Sequence, residues 1–351
     1  MDFELSEAQK ELAERIEGLD LPEEPIRACF AALGQAGYLE RELGSQEGFG
    51  SLAMWEARVA LARRMPQLVL AAELDRLVSG LVAERGPETI SAALKSGQSI
   101  AAAAFSERDR NTLRGELGTL AEPDGDGFRL SGRKDQVSLA RACDLLAVLA
   151  DTPEGSAILL VEPAADGVRI GEPIDTLGFQ ALGTCPVAFE SVAVGRERVI
   201  EAPDDPREAL RWAEDRAVTA IAVGICKLSL DRARQAADAP RQAGKPPAGY
   251  QVVRFQLAEM LTLLQTAELL ARRAAAESSD RSLALCAKVF ATEAACRLSD
   301  SALSILASAG YRRDEPVARA LLEARFGTLA GHSSQVARMA IADDALARLA
   351  P

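Results

Sequence analysis

One histidine, His332, is all the imidazole in this chain, and its six cysteines include no CxxC pair. No metal-ligand constellation and no Ser–His–Asp order can be assembled from so little. A P-loop and a GxGxxG run are also missing, which removes the two common glycine-rich phosphate loops. The net charge is −12 with no clustered run of Lys or Arg, which argues against nucleic acid or an anionic membrane surface as partner. No uninterrupted apolar run reaches the ~18 residues of a membrane helix, so a soluble protein is expected. The start, Met1-Asp2-Phe3-Glu4-Leu5-Ser6-Glu7, has neither a basic head nor an apolar segment and reads as lacking a signal or transit peptide. Cys29, Cys143, Cys185, Cys226, Cys286 and Cys296 lie far apart, as buried free thiols would, and a cytoplasmic location is expected.

What is present is length and a change of texture. At 351 residues the chain exceeds the roughly 250 to 300 at which one core stops growing, so two or three cores are expected. From Leu5 to about Lys95 apolar residues recur at helical spacing, as in Leu12, Ile16, Val59, Leu61, Leu68 and Leu70, between Gly and Pro breaks. From Ser99 to about Ile200 short apolar and β-branched runs such as Ala157-Ile158-Leu159-Leu160-Val161 alternate with Gly, Pro and Asp turns, which predicts a compact antiparallel sheet or barrel. Helical spacing then returns, with Asp205 suited to the N-cap and Pro206 to the first helical position. Long helices are predicted over 207–237, 251–277 and 281–309, with a closing pair from Glu315; the short connections imply an antiparallel bundle. The expected division is a helical domain over 1–97, a β domain over 98–202 and a helical bundle domain over 203–351.

Near its end the chain reads Gly310-Tyr311-Arg312-Arg313-Asp314-Glu315-Pro316-Val317, then Ala330-Gly331-His332-Ser333-Ser334-Gln335. Its strand region contains Gly127-Phe128-Arg129-Leu130-Ser131-Gly132-Arg133-Lys134, followed by Ala142-Cys143-Asp144 and Leu177-Gly178-Phe179. With the order helices, strands, helices, these segments resemble the acyl-CoA dehydrogenase family over essentially the whole chain. The resemblance implies a mainly α fold with a central β domain: an N-terminal helical domain, a middle β-barrel-like domain and a C-terminal four-helix bundle. It implies α,β-dehydrogenation of an acyl-CoA thioester with hydride transfer to FAD, and an electron-transfer flavoprotein as acceptor. It also implies a dimer or tetramer, formed with itself or with a related dehydrogenase subunit.

The family's flavin contacts carry over unevenly. Ser106 keeps the hydroxyl beside Glu107, and Ser138 survives within Gln136-Val137-Ser138-Leu139, where the family has Trp-Ile-Ser/Thr-Asn. Gln251 aligns in the segment whose arginine reaches the flavin pyrophosphate; that column falls on Pro240, with Arg241 one place away. Gly310 is the last glycine of a Gln-x-x-Gly-Gly-x-Gly loop whose other glycines are Ala307 and Ser308 here, and Ser333 and Gln335 follow the closing loop.

That loop carries the catalytic glutamate in most relatives, and the matching position is Gly331. In the isovaleryl and long-chain types the glutamate sits on the first bundle helix, ten residues before a glycine; taking Gly224 as that glycine selects Glu214, and a one-residue slip selects Asp215. Read from the residues alone, adjacent acids near a helix start are solvated and favoured by the helix dipole, His332 is a surface or packing residue, and Trp55 and Trp212 belong to cores. Four functions stay open: a dehydrogenase using Glu214, a base-lacking subunit of a heteromeric enzyme, a flavin-dependent monooxygenase of the same fold, and a scaffold that has lost flavin. The changes at Gln136, Pro240, Ala307, Ser308 and Gly331 weigh toward a chain that completes its site with a partner.

Overall fold

A computed structural model of the chain describes residues 7–22, 26–39, 52–108, 117–202, 205–239, 245–277 and 279–349; Pro240 and Arg241 lie outside them. The opening helices are α1 (Glu7–Glu17), α2 (Ile26–Gln35), α3 (Leu52–Ala62), α4 (Pro66–Arg85) and α5 (Glu88–Lys95). The strands are β1 (Ala101–Ala104), β2 (Leu120–Asp124), β3 (Gly127–Val137), β4 (Leu145–Thr152), β5 (Gly155–Val161), β6 (Val168–Ile170), β7 (Cys185–Gly195) and β8 (Val199–Glu201). The closing helices are α6 (Pro206–Asp238), α7 (Gln251–Ala276), α8 (Arg281–Leu306), α9 (Pro316–Gly327) and α10 (Ser334–Leu349).

The described residues fall into two compact units. One holds 7–18, 52–70 and 211–349; the other holds 19–22, 26–39, 71–108, 117–202 and 205–210. The opening helical stretch is therefore divided, with α1 and α3 in the first unit and α2 and α5 in the second.

The second unit is built on a sheet in the order β6-β7-β3-β2-β4-β5-β8, with β1 also on β4. Its long pairings, β3 with β7 and β4 with β5, are antiparallel as predicted. The sheet is mixed, however, because β1 runs parallel to β4 from Ala101 beside Leu145 to Ala104 beside Val148, and β2 meets β4 in parallel at Leu120 and Asp151. Ala101-Ala102 and Leu145–Ala150 are continuous buried runs, the pattern of strands covered on both faces, and alternation cannot reveal the direction of such strands. Val78, Val82, Leu94, Phe105, Leu149, Ile158 and Leu160 share one core beneath them.

The ion pair of Lys134 with Glu107 is sealed into this unit. Lys134 of β3 is wholly buried and donates to Glu107 Oε1 at 2.6 Å; the Thr119 hydroxyl reaches the same oxygen at 2.7 Å, and the Gly118 N–H reaches Oε2 at 2.6 Å. Burial pushes Glu107 up, but Lys134, Thr119 and Gly118 outweigh it and hold the carboxyl below its ordinary range. Burial lowers Lys134 in turn, against the pull of Glu107.

The first unit centres on α6. Asp205 accepts from the Glu208 N–H at 3.0 Å and Pro206 opens the helix, as the sequence predicts. Every residue from Ala217 to Cys226 is buried, so this helix is covered on all sides. A Cβ on Gly224 would lie 2.7 Å from Ala62 Cβ of α3, and only glycine permits that approach. Arg232 grips Glu315 with two bonds, at 3.0 and 2.7 Å, and Glu315 caps α9 through the Val317 N–H. The start of α9 is thus tied to α6, and the loop that follows α9 returns to the same helix.

Candidate active site

Two consecutive acids on α6 meet two consecutive amides of the α9–α10 loop. Glu214 Oε2 accepts from the Gly331 N–H at 2.9 Å, and Asp215 Oδ1 accepts from the His332 N–H at 3.1 Å. The His332 ring adds a second bond, Nδ1 to Asp215 Oδ2 at 2.5 Å. From α8, Lys288 donates its ammonium to the His332 carbonyl. Asp215 and Lys288 are wholly buried and His332 nearly so, whereas Glu214 is only half-buried. The His332 ring rests 5.2 Å from that of Trp212, and Arg281 covers the same indole at 5.0 Å.

Charge follows from this packing. Burial pushes Glu214 up to about 7; the Gly331 N–H opposes that shift, the neighbouring Asp215 adds to it, and Lys288 and Arg211 ease it. Burial also raises Asp215, against His332 and Lys288. It lowers Lys288, against Asp215, Glu214 and Glu293. A carboxylate poised near neutrality is matched to taking and returning a proton at physiological pH.

Gly331 has φ +60, and a Cβ there would stand 2.3 Å from Asp215 Oδ1 and 2.9 Å from the Arg211 carbonyl. A side chain at 331 and the Asp215 carboxylate therefore compete for one space. Gly331→Ala is expected to destabilise this unit by about 1–3 kcal/mol, through the left-handed backbone and the clash together. Urea denaturation measures this, and an unchanged midpoint would refute the packing described.

The implied flavin contacts fall in both units. Ser106 follows β1, half-buried, and its carbonyl accepts from the Asp135 N–H at 3.1 Å. The Ser138 hydroxyl lies 3.2 Å from that of Thr184. In the other unit, Gln251 is the exposed first residue of α7, Gly310 is buried in a 3-10 turn, Ser333 accepts from the Val336 N–H at 3.4 Å, and Gln335 is exposed on α10.

Two backbone angles bear on the cofactor. Leu139 has φ 64 and Ala307 has φ 55, conformations that favour Asn or Gly. Those are the residue types that the acyl-CoA dehydrogenase pattern places at these two positions. Both positions thus hold a positive φ without the residue types that favour it.

Sequence reasoning missed Lys288 and the pairing of Asp215 with His332. His332, expected as a surface or packing residue, is buried and bonded. The one local signal was a lysine in helical register with Ala284, Ala291 and Ala295, all buried. Trp212, expected as core, is buried and also lies against the site. Among the described residues, no group of three or more His, Cys, Asp or Glu is placed to hold a metal ion.

Comparison with known proteins identifies the family and the fold. The family described as "Acyl-CoA dehydrogenase, middle domain" matches residues 102–192, and "Acyl-CoA dehydrogenase, C-terminal domain" matches residues 211–346. Benzylmalonyl-CoA dehydrogenase of Aromatoleum aromaticum is 29% identical, over 98% of this chain and 99% of its own length. The 3-(aryl)acrylate reductase of Clostridium sporogenes is 29% identical over 71% of this chain and 70% of its own. A glutaryl-coenzyme A dehydrogenase solved with glutaryl-CoA superposes with a TM-score of 0.86 at 24% identity, covering 99% of this chain and 97% of that one. The chain belongs to the acyl-CoA dehydrogenase family and has its fold.

Proposed function

We propose that this chain is a flavin-dependent acyl-CoA dehydrogenase whose base has moved from the closing loop to α6, where Glu214 takes the α-proton of the acyl thioester. The observation that carries this reading is the 2.9 Å bond between the Gly331 N–H and Glu214. The loop position that holds the glutamate in most relatives has no side chain here, and the carboxylate at its backbone comes from the helix. Asp215 suits the role less well, since it is wholly buried and both its oxygens are engaged by His332. Bound FAD would supply the acceptor for the β-hydride. We assign Ser106, Ser138, Arg241, Gln251, Gly310, Ser333 and Gln335 to holding it, and the positive φ of Leu139 and Ala307 supports that assignment.

The half-buried Glu214 gives one face to the loop amide and leaves the other for substrate. Burial, with the Asp215 charge behind it, holds the carboxyl up at about 7 against the pull of the Gly331 N–H, Lys288 and Arg211. We also propose an oligomer of this chain with itself or a related subunit, and an electron-transfer flavoprotein as acceptor. Val252, Phe255, Leu261 and Leu269 are exposed on α7, and exposed apolar side chains of this size suit a subunit interface.

The test is purification of the chain alone and after co-expression with a related acyl-CoA dehydrogenase subunit, followed by anaerobic addition of acyl-CoA thioesters. The expected result is a yellow protein whose flavin absorbance bleaches with an acyl-CoA. Colourless protein in both preparations would overturn the reading in favour of a scaffold. Flavin bound but inert to every thioester would favour monooxygenation.

A further inference from the structure

Two charged or titratable side chains converge on His332 of the α9–α10 loop beyond the base itself, and they hold different atoms. Asp215 takes the backbone N–H of His332 with one oxygen and its ring Nδ1 with the other, at 3.1 and 2.5 Å. Lys288 takes the carbonyl of the same residue. His332 is thus bound at its N–H, its carbonyl and its ring. The residue before it, Gly331, has no side chain to hold and has φ +60, so its orientation follows from the grip on its neighbour.

We infer that Asp215, Lys288 and His332 form a positioning clamp that fixes the 331–332 backbone against α6 and delivers the Gly331 N–H to Glu214. The inference rests on Glu214 being the base and names what orients it. The clamp also explains why the loop cannot carry the base itself, since the Asp215 carboxylate fills the space a side chain at 331 would need. Clamp and helix base form one arrangement, and restoring a glutamate at 331 means dismantling the clamp first.

The groups that face Glu214 are Asp215 and Arg211 from its own helix, Lys288 from α8 and the Gly331 amide from the loop; His332 acts on it through Asp215. They give the test opposite signs. Lys288→Met removes a cation and the donor that holds the loop, and each loss favours the protonated carboxyl. The acid limb of flavin reduction by acyl-CoA should move up by about one pH unit, a tenfold change in proton affinity. Asp215→Asn removes a negative charge while an oxygen of the same shape still accepts from the His332 N–H, so the limb should move down by about one unit. A merely structural role would impair both variants without separating their midpoints.

A second readout needs neither substrate nor flavin. Amide hydrogen exchange at Gly331 and His332 should quicken about tenfold or more in Lys288→Met, and stay within about threefold of wild type in Glu214→Gln, whose amide oxygen still accepts from Gly331. Midpoints that coincide with wild type, or loop amides that exchange no faster in Lys288→Met, would overturn the clamp. If Lys288→Met does not fold, the Asp215→Asn midpoint decides alone. Should Glu214→Gln reduce flavin at the wild-type rate, the base assignment fails, and exchange in Lys288→Met still judges the clamp.

Discussion

Glu214→Gln is expected to slow flavin reduction by acyl-CoA about 10²- to 10⁴-fold, the usual contribution of a positioned base. The substitution is close to isosteric, and its amide oxygen can still accept from the Gly331 N–H that Glu214 holds at 2.9 Å. The loop therefore stays in place and the loss is chemical. Wild-type rates should rise with pH through about 7, as the raised carboxyl of Glu214 gives up its proton, and the variant should lack that limb. Rapid-mixing measurements across pH check both points. Asp215→Asn, by contrast, should keep substantial activity, because Asp215 is sealed behind His332 and does not face substrate.

Lys134→Met should be the most destabilising single change in the sheet unit, by about 3–5 kcal/mol, because it leaves the Glu107 carboxylate buried without its counter-charge. Removing both charges with Glu107→Gln and Lys134→Met together should recover part of the loss. The sign of the pH dependence separates the variants. In the wild type Glu107 is held below its ordinary range, so its contribution is full above the unfolded value and fades as pH falls through the folded one. In Lys134→Met burial dominates, the carboxyl rises above its unfolded value, and stability should instead fall as pH increases through that folded value. Urea midpoints between pH 4 and 8 read this reversal; equal slopes in the two proteins would contradict it.

Local chemistry was well written in the sequence. Asp205 and Pro206 mark the start of α6, and the long apolar runs of the last third give α6, α7 and α8 to within a few residues. What could not be read depends on neighbours distant along the chain. The direction of β1 beside β4 depends on which strand ends meet, and an alanine run carries no such information. Asp215 and His332 are 117 residues apart, and Lys288 is 44 from His332, so their meeting is a property of two packed helices and the loop laid against them. An acid pair near a helix start reads as solvated for the same reason, since nothing local shows that a loop will cover it.

The changes at Leu139 and Ala307 carry a different lesson. In sequence they read as lost cofactor contacts, yet both positions keep positive φ. Backbone shape here is set by the surrounding bonds, such as Leu139 N–H to the Leu182 carbonyl at 2.8 Å.

The most direct measurement is exchange of the α-proton of a bound acyl-CoA with deuterated solvent, followed by NMR under anaerobic conditions. It reports the base step apart from hydride transfer. The wild-type protein should wash deuterium into the α-position at a rate that rises through about pH 7, and Glu214→Gln should abolish that exchange. Exchange that persists in Glu214→Gln would show that the proton is taken elsewhere and would contradict the relocated base.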